Sequence, residues 1–290
     1  MEKARIGVIG GSGLYKIQGL SGIEEINLET PFGKPSDSLT IGLLESIAIA
    51  FLPRHGRGHR LSPAEVPYRA NIYALKKMGV ERIISVNAAG SLREEFKPGE
   101  LVIPDQLIDQ TRGRKSSFFG GGIVAHSIFA EPFCPELGQI LYQSASRAGA
   151  SVHKGGTHLV IEGPSLSTRA ESNLYRTWGA DIIGMTTSPE AKLAREAEIC
   201  YAAIVGITDY DCWQKHDEPT PIDAIIETQK MNTELIRETI RLSAGEITGE
   251  RSCNCGTAMK SAIVTNPASI SPEQKERLKL LIGKYLGEEH

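Results

Sequence analysis

Cys200-Tyr201-Ala202-Ala203-Ile204-Val205-Gly206-Ile207 runs without a charge into Thr208-Asp209-Tyr210-Asp211-Cys212-Trp213. An apolar run of this length reads as a strand buried on both faces. Such strands belong to sheets covered by helices on both sides, which build their ligand sites just past the carboxyl ends of the strands. Asp209 and Asp211 stand at that position. A carboxylate buried there keeps its proton near neutral pH, because burial disfavours the charged form. A protonated Asp can then donate a hydrogen bond to a leaving group. The plainer alternative is that both Asp residues only cap the next loop.

Working outward, further strands are predicted at 5–9, 47–52, 82–86, 101–103, 106–108, 158–161, 181–183 and 200–207. Between them lie helical patterns. Ser62-Pro63-Ala64-Glu65 opens one with Ser as N-cap and Pro at the first helical position, and Gly79 ends it after Met78. Others span 135–148, about 169–178, and from Ser188-Pro189-Glu190 to the Cys200 strand. Thr220-Pro221-Ile222-Asp223 starts a long helix with Ile222, Ile225, Ile226 and Gln229 on one face. Ser271-Pro272-Glu273 caps the last. The alternation predicts an α/β fold: a central mixed, largely parallel β-sheet flanked by helices. Residues 1–245 read as one catalytic domain, and 246–290 as a tail packed on it.

The chain has 290 residues, 40% of them hydrophobic, and a net charge of −3. No apolar run reaches the roughly 18 residues of a membrane span. No long basic block suggests nucleic-acid binding. Five Cys do not make a secreted disulfide scaffold in a chain this long. With no signal peptide visible at Met1-Glu2-Lys3-Ala4-Arg5, a cytoplasmic enzyme is expected.

Four strand ends carry groups suited to an anion. Gly10-Gly11-Ser12-Gly13 reads as a nest of backbone N–H groups. It is not a dinucleotide fingerprint, because Lys16 stands where the third Gly belongs. Pro53-Arg54-His55-Gly56-Arg57 offers a guanidinium fork matched to phosphate oxygens. Val86-Asn87-Ala88-Ala89-Gly90-Ser91 ends a strand with small residues that let a ligand approach the backbone. Gly184-Met185-Thr186-Thr187 places hydroxyls just before a helix N-terminus. Each segment also reads as an ordinary turn. Together they describe one cleft, with a phosphate-sized anion at one end and an acid at the other.

These segments resemble the trimeric purine nucleoside phosphorylase family, and within it the branch that cleaves methylthioadenosine. The resemblance rests on Gly10-Gly11-Ser12-Gly13-Leu14, Thr30-Pro31-Phe32-Gly33, Arg54-His55-Gly56, Gly90-Ser91-Leu92-Arg93-Glu94-Glu95, Ala130-Glu131-Pro132-Phe133-Cys134-Pro135, Ile161-Glu162-Gly163-Pro164, Met185-Thr186-Thr187 and the Thr208–Trp213 stretch. It implies phosphorolysis of 5′-deoxy-5′-methylthioadenosine to adenine and 5-methylthioribose 1-phosphate. Phosphate is a co-substrate, and no metal or organic cofactor is implied. Ser12, Arg54, His55, the Ala88 backbone and Thr186 match phosphate-binding positions. Met185, Ile183 and Leu166 match the ribose and base wall. Asp209 matches the acid at N7 of the base, and Asp211 its partner at the 6-amino group. Ile222, Ile225 and Ile226 match the apolar wall for the methylthio group. His126 matches a residue supplied by a neighbouring subunit, so a homotrimer or a dimer of trimers is implied. Alternatives are a 6-oxopurine or methylthioinosine phosphorylase, or a nucleoside-binding protein without activity.

Three positions depart from the family pattern. Ser165-Leu166 replaces Arg-Phe, and Leu166 cannot stack on a base as Phe does. Asn87-Ala88-Ala89 replaces a more hydroxyl-rich version. Ser188 replaces Val and reads as an N-cap before Pro189. In the tail, Cys253-Asn254-Cys255 has a spacing too tight for a metal site without other ligands, and His158 and His216 do not supply an evident one. The resemblance implies that prokaryotic relatives with this tail can form disulfides; two reduced surface thiols are the alternative. Cys134 and Cys200 read as buried core thiols, or as a pair if the tail is oxidised.

Overall fold

The computed structural model describes residues 4–11, 14, 17–214, 222–247 and 249–286. Its centre is β11 (Cys200–Tyr210), the strand read first from sequence. β11 lies parallel to β5 (Arg82–Ser91), which also pairs in parallel with β1 (Ile6–Gly10). β1 in turn pairs in parallel with β4 (Ile47–Pro53). Two antiparallel strands, β3 (Leu39–Leu44) and β2 (Leu20–Ile26), complete this side. Beyond Gly90 the sheet forks. There β5 meets β10 (Ile182–Gly184) antiparallel, followed by β9 (Thr157–Ile161) and β7 (Gln106–Gln110), both parallel. On its other edge β11 pairs with β6 (Leu101–Ile103), and β6 with β8 (Val152–Lys154). The sheet is mixed and largely parallel, as expected.

The two faces of β11 explain its continuous apolar sequence. Tyr201, Ala203, Val205 and Ile207 enter one core cluster, which holds residues of α1 (Tyr68–Lys77), α4 (Thr187–Glu196) and α6 (Pro272–Ile282). Cys200, Ala202 and Ile204 point the other way, toward α2 (Pro135–Arg147) and α5 (Ile222–Glu246). This is the two-residue period of a strand with helices on both sides. The tail joins the first cluster through Ile270, Leu278, Leu281 and Ile282. α3 (Arg169–Thr177) is closed by a capping box, with Thr168 and Glu171 exchanging hydrogen bonds.

Several local expectations are corrected. α1 starts at Tyr68, not Ser62: the Ser62 amide and hydroxyl both donate to the Glu65 carboxylate, forming an isolated turn. β5 continues past Val86 to Ser91, because its far half pairs with β11 and then β10. β11 likewise runs through Asp209, with a bulge between Ile207 and Asp209. Strands β2, β3 and β8 were not predicted: β2 is largely exposed and β8 has only three residues. Ser188 has an extended backbone, and its hydroxyl donates to Asp109 Oδ2 rather than to the helix.

Candidate active site

The carboxyl ends of β1, β4, β5, β10 and β11 line one cavity of about 490 Å³, closed on one side by α5. Arg54, His55, Ala88, Leu166, Ile183, Met185, Thr186, Asp209, Asp211, Ile225 and Ile226 all contribute to its wall. Ile222 does not; it sits on the first turn of α5, 71% exposed. His126 is also away from the cavity, exposed, with its N–H bonded to the tail carbonyl of Ala262 at 2.8 Å. Ser12, His216, Thr220 and Pro221 lie outside the described residues, although Gly11 lines the cavity.

The acid end is built by the β11 bulge. A bulge inserts an unpaired residue and re-aims the side chains beside it. It is braced by Asn232 of α5, whose amide donates to the Ile207 carbonyl at 2.9 Å. Gly206 makes that approach possible, since a Cβ there would stand 2.8 Å from Asn232 Nδ2. The Thr208 hydroxyl donates to Asp209 Oδ1 at 2.7 Å, leaving Oδ2 for a proton. Burial raises the Asp209 pKa, and the charge of Asp211 adds to the effect, against the Thr208 hydrogen bond. Burial also raises Asp211, whose Oδ2 has no hydrogen-bond partner among the described residues.

At the anion end, Arg54 is not a free fork. Its Nε and Nη2 donate to the two oxygens of Glu190, both at 2.9 Å, and Nη2 also meets the Ser85 hydroxyl. Nη1 donates to the Val86 carbonyl, so among the described residues one Nη1 N–H is left for a ligand. His55 Nδ1 lies 2.8 Å from the Leu61 carbonyl, which fixes the proton on Nδ1 and leaves Nε2 as an acceptor. Burial, then the neighbouring Arg54 guanidinium, push the His55 pKa down to about 4. His59, also in the wall, stacks on it with ring centroids 4.3 Å apart. The Thr186 hydroxyl donates to Asn87 Oδ1 at 3.0 Å.

Sequence reasoning missed Arg114. Its side chain is 2% exposed and donates to the carbonyls of Met185, Ser188 and Glu162, to the Glu162 carboxylate and to the Tyr68 hydroxyl. It thereby fixes the turn that carries Met185 and Thr186. No local motif marks an arginine whose partners lie 46 to 74 residues away in sequence. Glu190 and Asn232 were missed for the same reason.

Residues 5–242 match the Phosphorylase superfamily. The S-methyl-5′-thioadenosine phosphorylase of Geobacter sulfurreducens is 56% identical over 282 residues, covering 97% of this chain and 99% of its own. That of Koribacter versatilis is 50% identical, covering 99% and 98%. Among solved structures, a methylthioadenosine phosphorylase from an antarctic soil metagenomic library superposes with a TM-score of 0.93 at 47% identity, covering 97% of this chain and 99% of that one. The methylthioadenosine phosphorylase of Schistosoma mansoni in complex with adenine gives 0.82 at 36% identity, over 89% and 98%.

Proposed function

The chain belongs to the phosphorylase superfamily, and from that premise we propose that it cleaves 5′-deoxy-5′-methylthioadenosine with inorganic phosphate. The products are adenine and 5-methylthioribose 1-phosphate. The observation that carries this reading is one cavity walled by a half-buried carboxyl pair at the end of β11 and by Arg54 and His55 after β4. β1 and β5 lie between those strands, so the two ends are three strand spacings apart, roughly 14 Å. That span suits a nucleoside with phosphate beside its anomeric carbon.

The reaction breaks the C1′–N9 bond and forms a bond from C1′ to a phosphate oxygen. Positive charge grows on the sugar and negative charge on the purine. Asp209, whose pKa burial raises, donates from its protonated form to N7 and neutralises the base as it leaves. Monohydrogen phosphate must lose its proton when its oxygen becomes an ester. His55 Nε2 accepts a hydrogen bond from that P–OH, so the dianion's other oxygens face the remaining Arg54 N–H, the Ala88 backbone, Thr186 and Ser12. Over the whole reaction, adenine gains one proton and phosphate loses one. Asp211 receives the 6-amino group, which favours adenine over a 6-oxopurine. Met185 and Ile183 pack on the ribose, Leu166 on the base, and Ile225 and Ile226 on the methylthio group.

Residues 1–245 form the catalytic unit and 246–290 an appendage packed on it. His126 completes the pocket of a neighbouring copy in a homotrimer, which accounts for its absence from its own chain's cavity. Phosphorus NMR of a reaction containing methylthioadenosine and phosphate tests the chemistry. A new sugar 1-phosphate signal, equal in amount to the adenine released, is expected; release of free methylthioribose instead would make water the nucleophile.

A further inference from the structure

The fold gathers four of the five cysteines from three separate parts of the sequence. Cys134 caps α2, Cys200 opens β11, and Cys253 and Cys255 come from the tail. Their sulfurs all lie within 4.8 Å of one another, and Cys134, Cys200 and Cys255 are buried. The Cys253-Asn254-Cys255 spacing by itself offers only two ligands; α2 and β11 supply the other two.

We propose that this cluster is a structural tetrathiolate site for a soft divalent metal ion, zinc in the first instance. A tetrahedral zinc with bonds of about 2.3 Å to sulfur sets its sulfurs about 3.8 Å apart. The Cys200–Cys253 separation of 3.3 Å and the 4.8 Å limit of the cluster bracket that value. A disulfide needs about 2.05 Å, and none of the five cysteines is bonded to another. Four soft sulfur donors with no carboxylate among them favour zinc over calcium or magnesium.

The surroundings suit a closed structural site. Cys134 stands at the N-cap of a 13-residue helix, where the first-turn N–H groups have no partner within the helix. Such donors stabilise thiolate charge. Glu136, on the first turn of the same helix, accepts from the Ser252 amide and hydroxyl and from the Cys253 amide. These bonds hold the tail over the cluster in register. The cluster is separate from the phosphorolysis cavity: none of its cysteines is in that cavity's wall. Binding replaces four S–H protons by four metal–sulfur bonds and releases four protons, with no change of oxidation state. The ion would tie the tail to the core, and through the Ala125–Ile263 bridge it would also steady the segment bearing His126.

The test uses the full chain, fully reduced and stripped of metal under anaerobic conditions, then titrated with cobalt(II). The expected result is one cobalt per chain, with the visible ligand-field bands and near-ultraviolet sulfur-to-metal charge transfer of a tetrahedral tetrathiolate. Zinc should displace it. The Cys253→Ser/Cys255→Ser variant should bind none, while keeping a wild-type far-ultraviolet circular dichroism spectrum as evidence of folding. If that variant is unstable, Cys253→Ser should retain weaker cobalt binding with shifted charge-transfer bands. Absence of these bands in the reduced wild-type chain overturns the proposal and leaves the cluster as thiols or disulfide partners. Bands unchanged in the Cys253→Ser/Cys255→Ser variant place the ion elsewhere and overturn it equally.

Discussion

Arg54 and Glu190 meet through two hydrogen bonds of 2.9 Å, with side chains only 3% and 0% exposed. The pair turns a phosphate-matching guanidinium away from the ligand and leaves one donor for it. Its first consequence concerns stability. Breaking a buried pair leaves an uncompensated charge and costs about 3–5 kcal/mol. Glu190→Ala is therefore expected to lower the free energy of unfolding, read from denaturant titration, by an amount in that range. Glu190→Gln, which keeps the shape and one acceptor, should lose less. Both variants should raise KM for phosphate, since Arg54 is then free to move.

Asp209 is the proposed acid, and its removal should act on the chemical step. Asp209→Ala should lower kcat by about 10²–10⁴-fold, the usual worth of general acid catalysis, with a much smaller effect on KM for the nucleoside. A change confined to KM would contradict the role. Asp209→Asn should lose the same acid while shifting the ratio of inosine to methylthioadenosine turnover upward.

The pH dependence has a definite sign at each end. The protonated form of Asp209 is the active one, and burial raises its pKa. Activity should therefore fall as pH rises through that raised value. His55 must be neutral to accept from phosphate, and its pKa lies near 4. Affinity for the phosphate dianion, after correction for phosphate's own protonation, should persist down to about pH 4 and fall below it. The limbs are read from kcat/KM profiles, and His55→Gln should remove the acid limb.

Stability in acid should depend on His158. It is buried, and burial pushes its pKa from 6.5 down to about 3. The unfolded chain thus takes up a proton before the folded one as pH falls. This contribution to stability is complete above pH 6.5 and is lost between there and about 3. His158→Gln should flatten that part of the unfolding free energy against pH, measured by chemical denaturation.

Leu166 lines the cavity yet is 68% exposed. An aromatic side chain there could stack on the base, a contact worth about 0.5–1.5 kcal/mol. Leu166→Phe should lower KM for methylthioadenosine by roughly two- to tenfold, with kcat little changed.

The sheet was legible because β11, β1 and β4 carry unbroken apolar runs, and because glycines and prolines mark where several strands stop. The cavity wall was legible because its residues cluster at those strand ends. What escaped has a common cause. The β11 bulge depends on Asn232 from a helix, the Arg54 fork on Glu190 from another, and the Met185 turn on Arg114 from a loop. Hydrogen bonds between such distant residues leave no periodic pattern. Ser62 shows the opposite failure: its N-cap signature is real, but Glu65 closes it into a turn before the helix begins.

The most direct test is base release from methylthioadenosine and from inosine, each with and without inorganic phosphate. Adenine release that requires phosphate, with hypoxanthine release slow, is the predicted result. Equal release without phosphate, or faster release of hypoxanthine, would contradict the account of the site given by Arg54, His55, Asp209 and Asp211.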